Sequence, residues 1–169
     1  MDHTATLMES MALQFSHLGV RRGGALLVHA SLSSLGLPKD RDVPEAVIRA
    51  LLSALGEDGV LLFPALSYEY ANAAHPFFDV RNTPSNVGFL PEYFRIHFAQ
   101  QRSVCPTHSV CGCTTRGRDL LDFLLSGHAS DTTPGGPHSP YRRLYEAGGQ
   151  ILFLGCGINC NTSMHAVEE

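Results

Sequence analysis

The sequence predicts an α/β fold, and the evidence is a strand, a helix and a second strand in close succession. The segments Ala25-Leu26-Leu27-Val28 and Val60-Leu61-Leu62-Phe63-Pro64 are short apolar runs typical of strands buried on both faces of a sheet. Between them lies an amphipathic segment that begins near Pro44 and stops at Gly56, as a helix does. This is the βαβ pattern, whose two strands are normally parallel.

The other elements follow from the same periodicities. Apolar residues recur at helical spacing in four more segments, and two more segments are typical of strands. Residues 67–84 are polar and aromatic without a clear period, so we predict a loop or lid there. A last helix is expected to open at Asn161 or Thr162. The four helices are predicted over 4–18, 87–98, 118–126 and 139–147, and the two strands over 108–113 and 151–154.

Composition excludes several classes of protein. The chain has 169 residues, of which 44% are hydrophobic and 17% charged, so we expect one domain folded on its own core. Its net charge of −4 and the lack of a basic stripe argue against a nucleic-acid partner. No apolar run is long enough to cross a membrane, and the N-terminus does not resemble a secretory signal. Five cysteines are too few for a disulfide scaffold, so we expect a soluble protein with reduced thiols in the cytoplasm.

Three predicted strand ends define a candidate site. Ligands of open α/β sheets bind beyond the carboxyl ends of the strands. Here these ends are followed by residues 29–34, 65–69 and 155–165. We therefore expect the functional side chains to come from these three stretches.

A histidine and three serines follow the first strand. Ser31, Ser33 and Ser34, with Gly36 after them, offer hydroxyl groups and backbone N–H groups to an anion such as a pyrophosphate. The glycine patterns of a P-loop and of a dinucleotide fingerprint are absent. His29 is open to two interpretations, because a histidine beside a buried strand is more often bonded to a neighbouring backbone than catalytic.

The last predicted helix carries a histidine and a glutamate. His165 and Glu168 are three residues apart, so their side chains share one face of the helix. A carboxylate beside an imidazole fixes its tautomer and raises its basicity, as a general base requires. The alternative is an ordinary surface pair. The position of His165 and Glu168 just after the third strand end favours the functional interpretation.

A cluster of thiols and one imidazole suggests zinc, but the spacing argues against it. In an extended strand Cys111 and Cys113 lie about 7 Å apart, too far for one tetrahedral ion. We therefore predict no metal site at Cys105, His108, Cys111 and Cys113, and we interpret Cys156 as a small buried thiol.

Six segments in sequence order resemble the aminoglycoside 3-N-acetyltransferase family, which is distinct from the GNAT acetyltransferases. The resemblance implies a three-layer αβα mixed sheet with helices on both faces. It also implies transfer of the acetyl group of acetyl-CoA to the 3-amino group of an aminoglycoside antibiotic. The segments are LLVHASLSSLG (26–36), EAVIRALLSALGEDGVLLFP (45–64), RNTPSNVGFLPEYFR (81–95), RSVCPTHSV (102–110), DTTPGGPHSPYRRLYEAGGQILFLGCG (131–157) and NTSMHAVE (161–168).

The resemblance also assigns roles to residues. It implies that His165 is the general base, that Glu168 orients it, and that Asp131 and its neighbours shape the site. Thr162 and Ser163 are candidate donors to a developing oxyanion. Tyr68, Glu69 and Asp79 are candidates for contacts with a polycationic acceptor. The residues expected to hold the cofactor are His29, Ser31, Ser33, Ser34, Thr107, His108 and Ser109.

Two other functions stay open at the level of sequence. One is an acetyltransferase for a different amine, and the other is a CoA-binding protein without turnover. Members of the resembled family continue well beyond the His-x-x-Glu helix. We therefore expect residues 1–169 to be either the N-terminal, CoA-binding portion of a longer architecture or a naturally shortened member of the family. Association into a homo-oligomer is left open.

Overall fold

A computed structural model describes the backbone of residues 3–168 and the side chains of residues 5–167. Its six α-helices and five strands alternate along most of the described chain. The helices are α1 (His3–His17), α2 (Val43–Leu55), α3 (Phe89–His97), α4 (Arg118–Leu125), α5 (Pro140–Glu146) and α6 (His165–Glu168). The strands are β1 (Ala25–Ala30), β2 (Val60–Pro64), β3 (Gln101–Arg102), β4 (Val110–Cys113) and β5 (Gln150–Leu154). Short 3-10 helices cover Leu32–Leu35, His128–Ser130, Ile158–Cys160 and Thr162–Met164.

The sheet is mixed, with β1 as a parallel partner of two other strands. The strand order is β3-β4-β2-β1-β5. Strand β1 pairs in parallel with β2 and with β5, while β4 is antiparallel to both β2 and β3. The parallel β1-α2-β2 unit confirms the βαβ prediction, and it places the carboxyl ends of β2, β1 and β5 side by side.

Helices cover both faces of this sheet, as the predicted three-layer architecture requires. Alternate side chains of β1 point to opposite faces. Leu26 and Val28 pack with the buried residues of α2 and α3, whereas Leu27 packs with those of α4 and α5. Helix α1 packs on the outer side of α2 through Phe15. Burial of each such leucine or valine contributes about 1.5–3 kcal/mol to folding.

Three details differ from the sequence predictions. Strand β1 extends to Ala30, so His29 lies within the strand and not in the loop after it. The two-residue strand β3 was not expected, because Gln101 and Arg102 have no apolar pattern. The helix expected at Asn161 or Thr162 is a 3-10 turn that becomes α-helical only at His165. The loop predicted over 67–84 is confirmed. None of the helices described is both long and apolar enough to span a membrane.

Gly112 lets α4 approach the sheet closely. A Cβ atom at this position would lie 2.7 Å from both Leu121 Cδ1 and Leu62 Cδ2 and 3.0 Å from Leu125 Cδ1. These branched side chains belong to a close-packed core and have little room to move. The missing side chain therefore sets the distance between α4 and the sheet.

We expect Gly112→Ala to lower the free energy of unfolding by about 1–3 kcal/mol through overpacking. Urea denaturation of the purified protein measures this change. Gly157→Ala is the matched control, because the nearest atom to its added Cβ is the movable Asn159 Oδ1 at 3.0 Å. Equal stability of the two variants would contradict the proposed packing limit.

Candidate functional site

The loops after β1 and β5 are held against each other at the carboxyl edge of the sheet. The Ser31 N–H donates a 2.9 Å hydrogen bond to the Leu154 carbonyl, which extends the pairing of the two strands. Gly155 follows with φ +71°, and a Cβ atom there would lie only 2.5 Å from the Ser31 carbonyl oxygen. A larger residue would separate the loops. The parallel pairing thus places two of the three predicted stretches in direct contact.

His29 is buried at this edge and carries an unsatisfied nitrogen. Its side chain is 3% exposed and stacks on Phe153 with ring centroids 5.4 Å apart. Among the described residues its Nε2 atom has no hydrogen-bond partner. Burial lowers the pKa of His29 to about 4, so the imidazole is neutral at pH 7. A buried polar atom without a partner is costly and is a common mark of a ligand site.

The three serines lie on the 3-10 helix that follows β1, or just before it. Ser31 and Ser34 hydroxyl oxygens are 2.8 Å apart and share a hydrogen bond, and Ser33 is exposed. Gly36 ends the 3-10 helix with φ 65°, a conformation that favours glycine. The hydroxyl groups therefore sit together on a short, sharply turned loop, as the sequence predicts.

A cavity of about 580 Å³ opens on the α2 and α3 side of this edge. Ala30 to Ser33 form one part of its wall, and Lys39 to Arg41 form another. The starts of α2 and α3 complete it, with Phe89 65% exposed. Its volume is typical of small-molecule sites, which are usually concave and mostly apolar with a few polar groups.

On the opposite side of the same edge, two histidines meet. The rings of His108 and His165 lie edge to face with centroids 5.1 Å apart. His108 Nδ1 is 3.0 Å from Thr107 Oγ1, and either atom can donate. His165 is exposed at the start of α6. Glu168 belongs to the same helix, but its side chain lies outside the described residues.

Buried hydroxyl groups lie near the turn that leads to α6. Tyr141 is 6% exposed, and neither its hydroxyl nor Thr162 Oγ1 has a hydrogen bond of normal geometry among the described residues. Burial raises the pKa of Tyr141, and the neighbouring Thr162 side chain opposes the shift. Asn161 orders this turn by accepting the Ser163 N–H at 3.2 Å. The sequence pattern does not single out Tyr141, although it directly follows Pro140 in one of the six segments that resemble the family.

A buried arginine joins the loops beneath the site. Arg102 is 9% exposed, and its guanidinium donates to the carbonyls of Thr83 (2.7 Å) and Ala65. It also bonds to the Ser67 and Ser109 hydroxyls and stacks over Phe78. Burial lowers the pKa of Arg102 from its usual value, and nearby acids oppose the shift.

Ser109 belongs to this network. It is fully buried. Its hydroxyl donates a 2.6 Å hydrogen bond to the Ala65 carbonyl and accepts one of 3.1 Å from Arg102 Nε. Both functions of the hydroxyl are thus used within the fold. Thr107 and His108, two and one residues earlier, are half-buried, and the ring of His108 contacts that of His165.

The three candidates for acceptor contacts lie in the irregular segment after β2. Tyr68 and Glu69 are exposed on a turn whose carbonyls both accept from Asn72 Nδ2 at 3.2 Å. The Asp79 carboxylate accepts from the Asn82 side chain and from the backbone N–H groups of Arg81 and Asn82. These hydrogen bonds lower the pKa of Asp79, and the hydrogen bond from Asn82 Nδ2 makes the largest contribution to this shift.

The cysteines and the segment from Asp131 make contacts within the fold. Cys111 and Cys113 lie in the core, and burial raises the pKa of each thiol to about 12. Cys156, which we predict to be buried, is only partly buried, and its thiol donates to the His29 carbonyl at 3.4 Å. The Asp131 carboxylate, 1% exposed, accepts from His138 Nδ1 at 2.8 Å. Among the side chains of residues 5–167, no three from His, Cys, Asp or Glu are grouped so that they could hold a metal ion.

Comparison with known protein families matches most of this sequence to one family. Residues 27–169 match the family described as aminoglycoside 3-N-acetyltransferase. The chain belongs to the aminoglycoside 3-N-acetyltransferase family.

Individual relatives of that family share the sequence and the fold. Aminoglycoside N(3)-acetyltransferase IV of Salmonella sp. is 31% identical over 157 residues, which are 92% of this chain and 56% of the relative. A crystal structure of a histidine-to-alanine variant of aminoglycoside acetyltransferase AAC(3)-IVa in complex with apramycin superposes with a TM-score of 0.77 at 30% identity, over 95% of this chain and 61% of that one. AAC-IIIb in a binary complex with CoASH gives a TM-score of 0.76 at 26% identity, over 94% of this chain and 62% of that one. This member of the aminoglycoside 3-N-acetyltransferase family therefore spans little more than half the length of the relatives it matches.

We expect Arg102→Gln to lower the free energy of unfolding by about 3 kcal/mol, since several buried carbonyl and hydroxyl oxygens lose a charged donor. The segment that Arg102 holds should also loosen, so trypsin should cut faster after the exposed Arg81. Urea denaturation and mass spectrometry of the digest measure the two effects. Arg118→Gln, which removes an exposed cation at the start of α4, is the control. Unchanged stability and digestion in Arg102→Gln would show that the network does not hold the loop.

We expect His29 to make stability depend on pH. In the unfolded chain the imidazole has its ordinary pKa of 6.5, whereas burial lowers it to about 4 in the folded protein. The unfolded state therefore binds more protons between these values, so the free energy of unfolding should fall by roughly 3 kcal/mol as the pH drops from 6.5 to 4. This group causes no further loss below pH 4.

Urea denaturation at intervals across this range tests the expectation. His29→Gln should lose this part of the pH dependence, and His17→Gln, which changes an exposed histidine of α1, should keep it. The same slope in His29→Gln and in the wild-type protein would contradict it.

Proposed function

We propose that this chain binds acetyl-CoA and acts as an N-acetyltransferase on the 3-amino group of aminoglycosides, with His165 as general base. The observation that carries the proposal is the placement of His165 against His108 at the sheet edge that also forms the cavity. Family membership supports the reaction, and a relative crystallised with CoASH supports the cofactor.

The residues at the edge fit acetyl-CoA. The cavity has the volume of a small-molecule site, and the unpartnered Nε2 of the neutral His29 can donate to or accept from an amide of the pantetheine arm. The serine loop offers hydroxyl groups to the pyrophosphate. When bound, acetyl-CoA supplies a thioester carbonyl that an amine can attack. The residues that would hold it are His29, Ser31, Ser33, Ser34, Thr107 and His108, while Ser109 supports the fold beneath them.

The cavity and the histidine pair lie on opposite sides of the sheet edge. The cavity lies beside α2 and α3, whereas His108 and His165 lie on the other side of the strand ends. An extended cofactor that crosses the edge at Ser31 would reach both. The paired loops, fixed by Gly155, provide a rigid crossing point.

His165 has the surroundings that a general base needs. An imidazole exchanges protons near neutral pH, and here it is exposed to an incoming amine. In our proposal it takes the proton that the amine loses as the new N–C bond forms. The C–S bond of the thioester then breaks, and the sulfur takes up a proton as CoA leaves as its thiol. The edge-to-face contact with His108 fixes the plane of the ring. Glu168, one helical turn further on, is proposed to orient it, and Thr162 or Ser163 to stabilise the oxyanion.

Anionic and aromatic side chains are proposed to meet the acceptor. An aminoglycoside is a polycation, and the low pKa of Asp79 keeps its carboxylate charged. Glu69 and Tyr68 are exposed in the same irregular segment as Asp79. We also propose a cytoplasmic location, for which the five free cysteines are the support.

We expect His165→Ala to lower the rate of CoA release with an aminoglycoside by at least about a hundredfold, as for loss of a general base. Thiol release measured in the full-length protein tests this. Affinity for acetyl-CoA, measured by calorimetry, should change little, which separates chemistry from binding. His17→Ala is the control. Near-normal turnover in His165→Ala would refute the assignment of the base.

A panel of acceptors tests the substrate class. Aminoglycosides with and without a free 3-amino group are compared with metabolite amines, all read by thiol release. Turnover restricted to a free 3-amino group supports the proposal. Turnover only with other amines identifies a different acetyltransferase, and binding of acetyl-CoA without turnover identifies a CoA-binding protein.

A further inference from the structure

The cavity beside α2 has a cationic end that the proposed mechanism does not use. Lys39 and Arg41 line it on the loop between the serine turn and α2. Neither takes part in an ion pair with a side chain of residues 5–167, where the seven pairs within 4.0 Å involve other side chains. Both are exposed at the cavity, so an anion can reach them at little desolvation cost.

The rest of the wall is suited to the nucleotide end of a cofactor. Apart from the serines and the charged residues the lining is mainly apolar, through Leu32, Leu37, Pro38 and Val43. Phe89, 65% exposed, offers a ring face on which a nucleobase can stack. A phosphate and an aromatic base are found together in the 3′-phosphoadenosine part of CoA, where ribose joins them.

We propose that Lys39 and Arg41 bind the 3′-phosphate of CoA and so make this protein select CoA over dephospho-CoA. The inference rests on the proposed function, since it requires CoA to occupy the cavity. The serine loop at one part of the wall is nearest the strand ends and is assigned to the pyrophosphate. The cations follow six to eight residues after Ser33 in the sequence and line the same cavity, so we assign them to the terminal phosphate.

One acidic residue opposes this arrangement and gives a second test. Asp40 stands between the two cations and also lines the cavity. Its carboxylate would repel a phosphate bound there. Replacing it with asparagine removes the negative charge at nearly constant size, so the same site should bind the 3′-phosphate more tightly.

Calorimetry with CoA and with dephospho-CoA measures the selectivity directly and needs no turnover. Dephospho-CoA retains the pyrophosphate and lacks only the 3′-phosphate. We expect the wild-type protein to bind CoA at least about tenfold more tightly, as for a charged hydrogen bond to phosphate. The double variant Lys39→Gln, Arg41→Gln should bind both ligands about equally, with its affinity for dephospho-CoA unchanged. Asp40→Asn should increase the ratio, and Arg118→Gln on the other face of the sheet should leave it as in the wild type.

The outcomes separate this inference from the function on which it rests. Loss of selectivity in the double variant and a gain in Asp40→Asn support the site. If the wild-type protein binds CoA but does not discriminate, or if the double variant keeps the wild-type ratio, the inference is wrong and the cofactor assignment stands. Failure of the folded wild-type protein to bind either ligand overturns both. Thermal melting of each variant checks its fold.

Discussion

The parallel pairing of β1 with both β2 and β5 is the constraint on which the rest of the structure depends. It brings three carboxyl ends to one edge, where strand loops are free to carry functional groups. The register continues past the strands through the Ser31 N–H to Leu154 carbonyl bond. Gly155 permits the close approach that follows. Without this pairing, the serine loop and the segment that leads to His165 would not be held next to each other.

Arg102 extends the same order to the irregular part of the chain. A loop of this length has few backbone partners of its own, and its buried carbonyls need donors. One guanidinium satisfies carbonyls from β2's end and from the segment near Thr83, and also holds Ser109 just before β4. The position of Thr107 and His108 is thus coupled to the loop that carries Asp79. The coupling requires that the charged guanidinium of Arg102 lose its hydration, and the surrounding carbonyl and hydroxyl oxygens offset that cost.

Sequence patterns were sufficient for the fold because its strands and helices have strong periodicity. The apolar runs of β1 and β2 and the stripe of α2 specify a buried parallel pair with little ambiguity. The patterns fail where a contact across the fold decides. Strand β3 is only Gln101 and Arg102, paired at an edge, and nothing local predicts it. Ser109 has a hydroxyl suited to a ligand, yet that hydroxyl accepts from the buried Arg102 and donates to the carbonyl of Ala65, 44 residues away. Such pairings depend on residues distant in sequence.

The site shows the same division between local and tertiary information. His165 and Glu168 could be placed on one helix from their spacing alone, whereas the contact of His165 with His108 requires the β4 loop to fold beneath α6. Lys39 and Arg41 alternate with Asp40 and Asp42, a pattern typical of a solvated loop, and only the cavity distinguishes them. His29 is the clearest case. Its neutral state and its unpartnered nitrogen both arise from burial against Phe153, and they turn an ambiguous residue into one whose environment calls for a polar ligand atom.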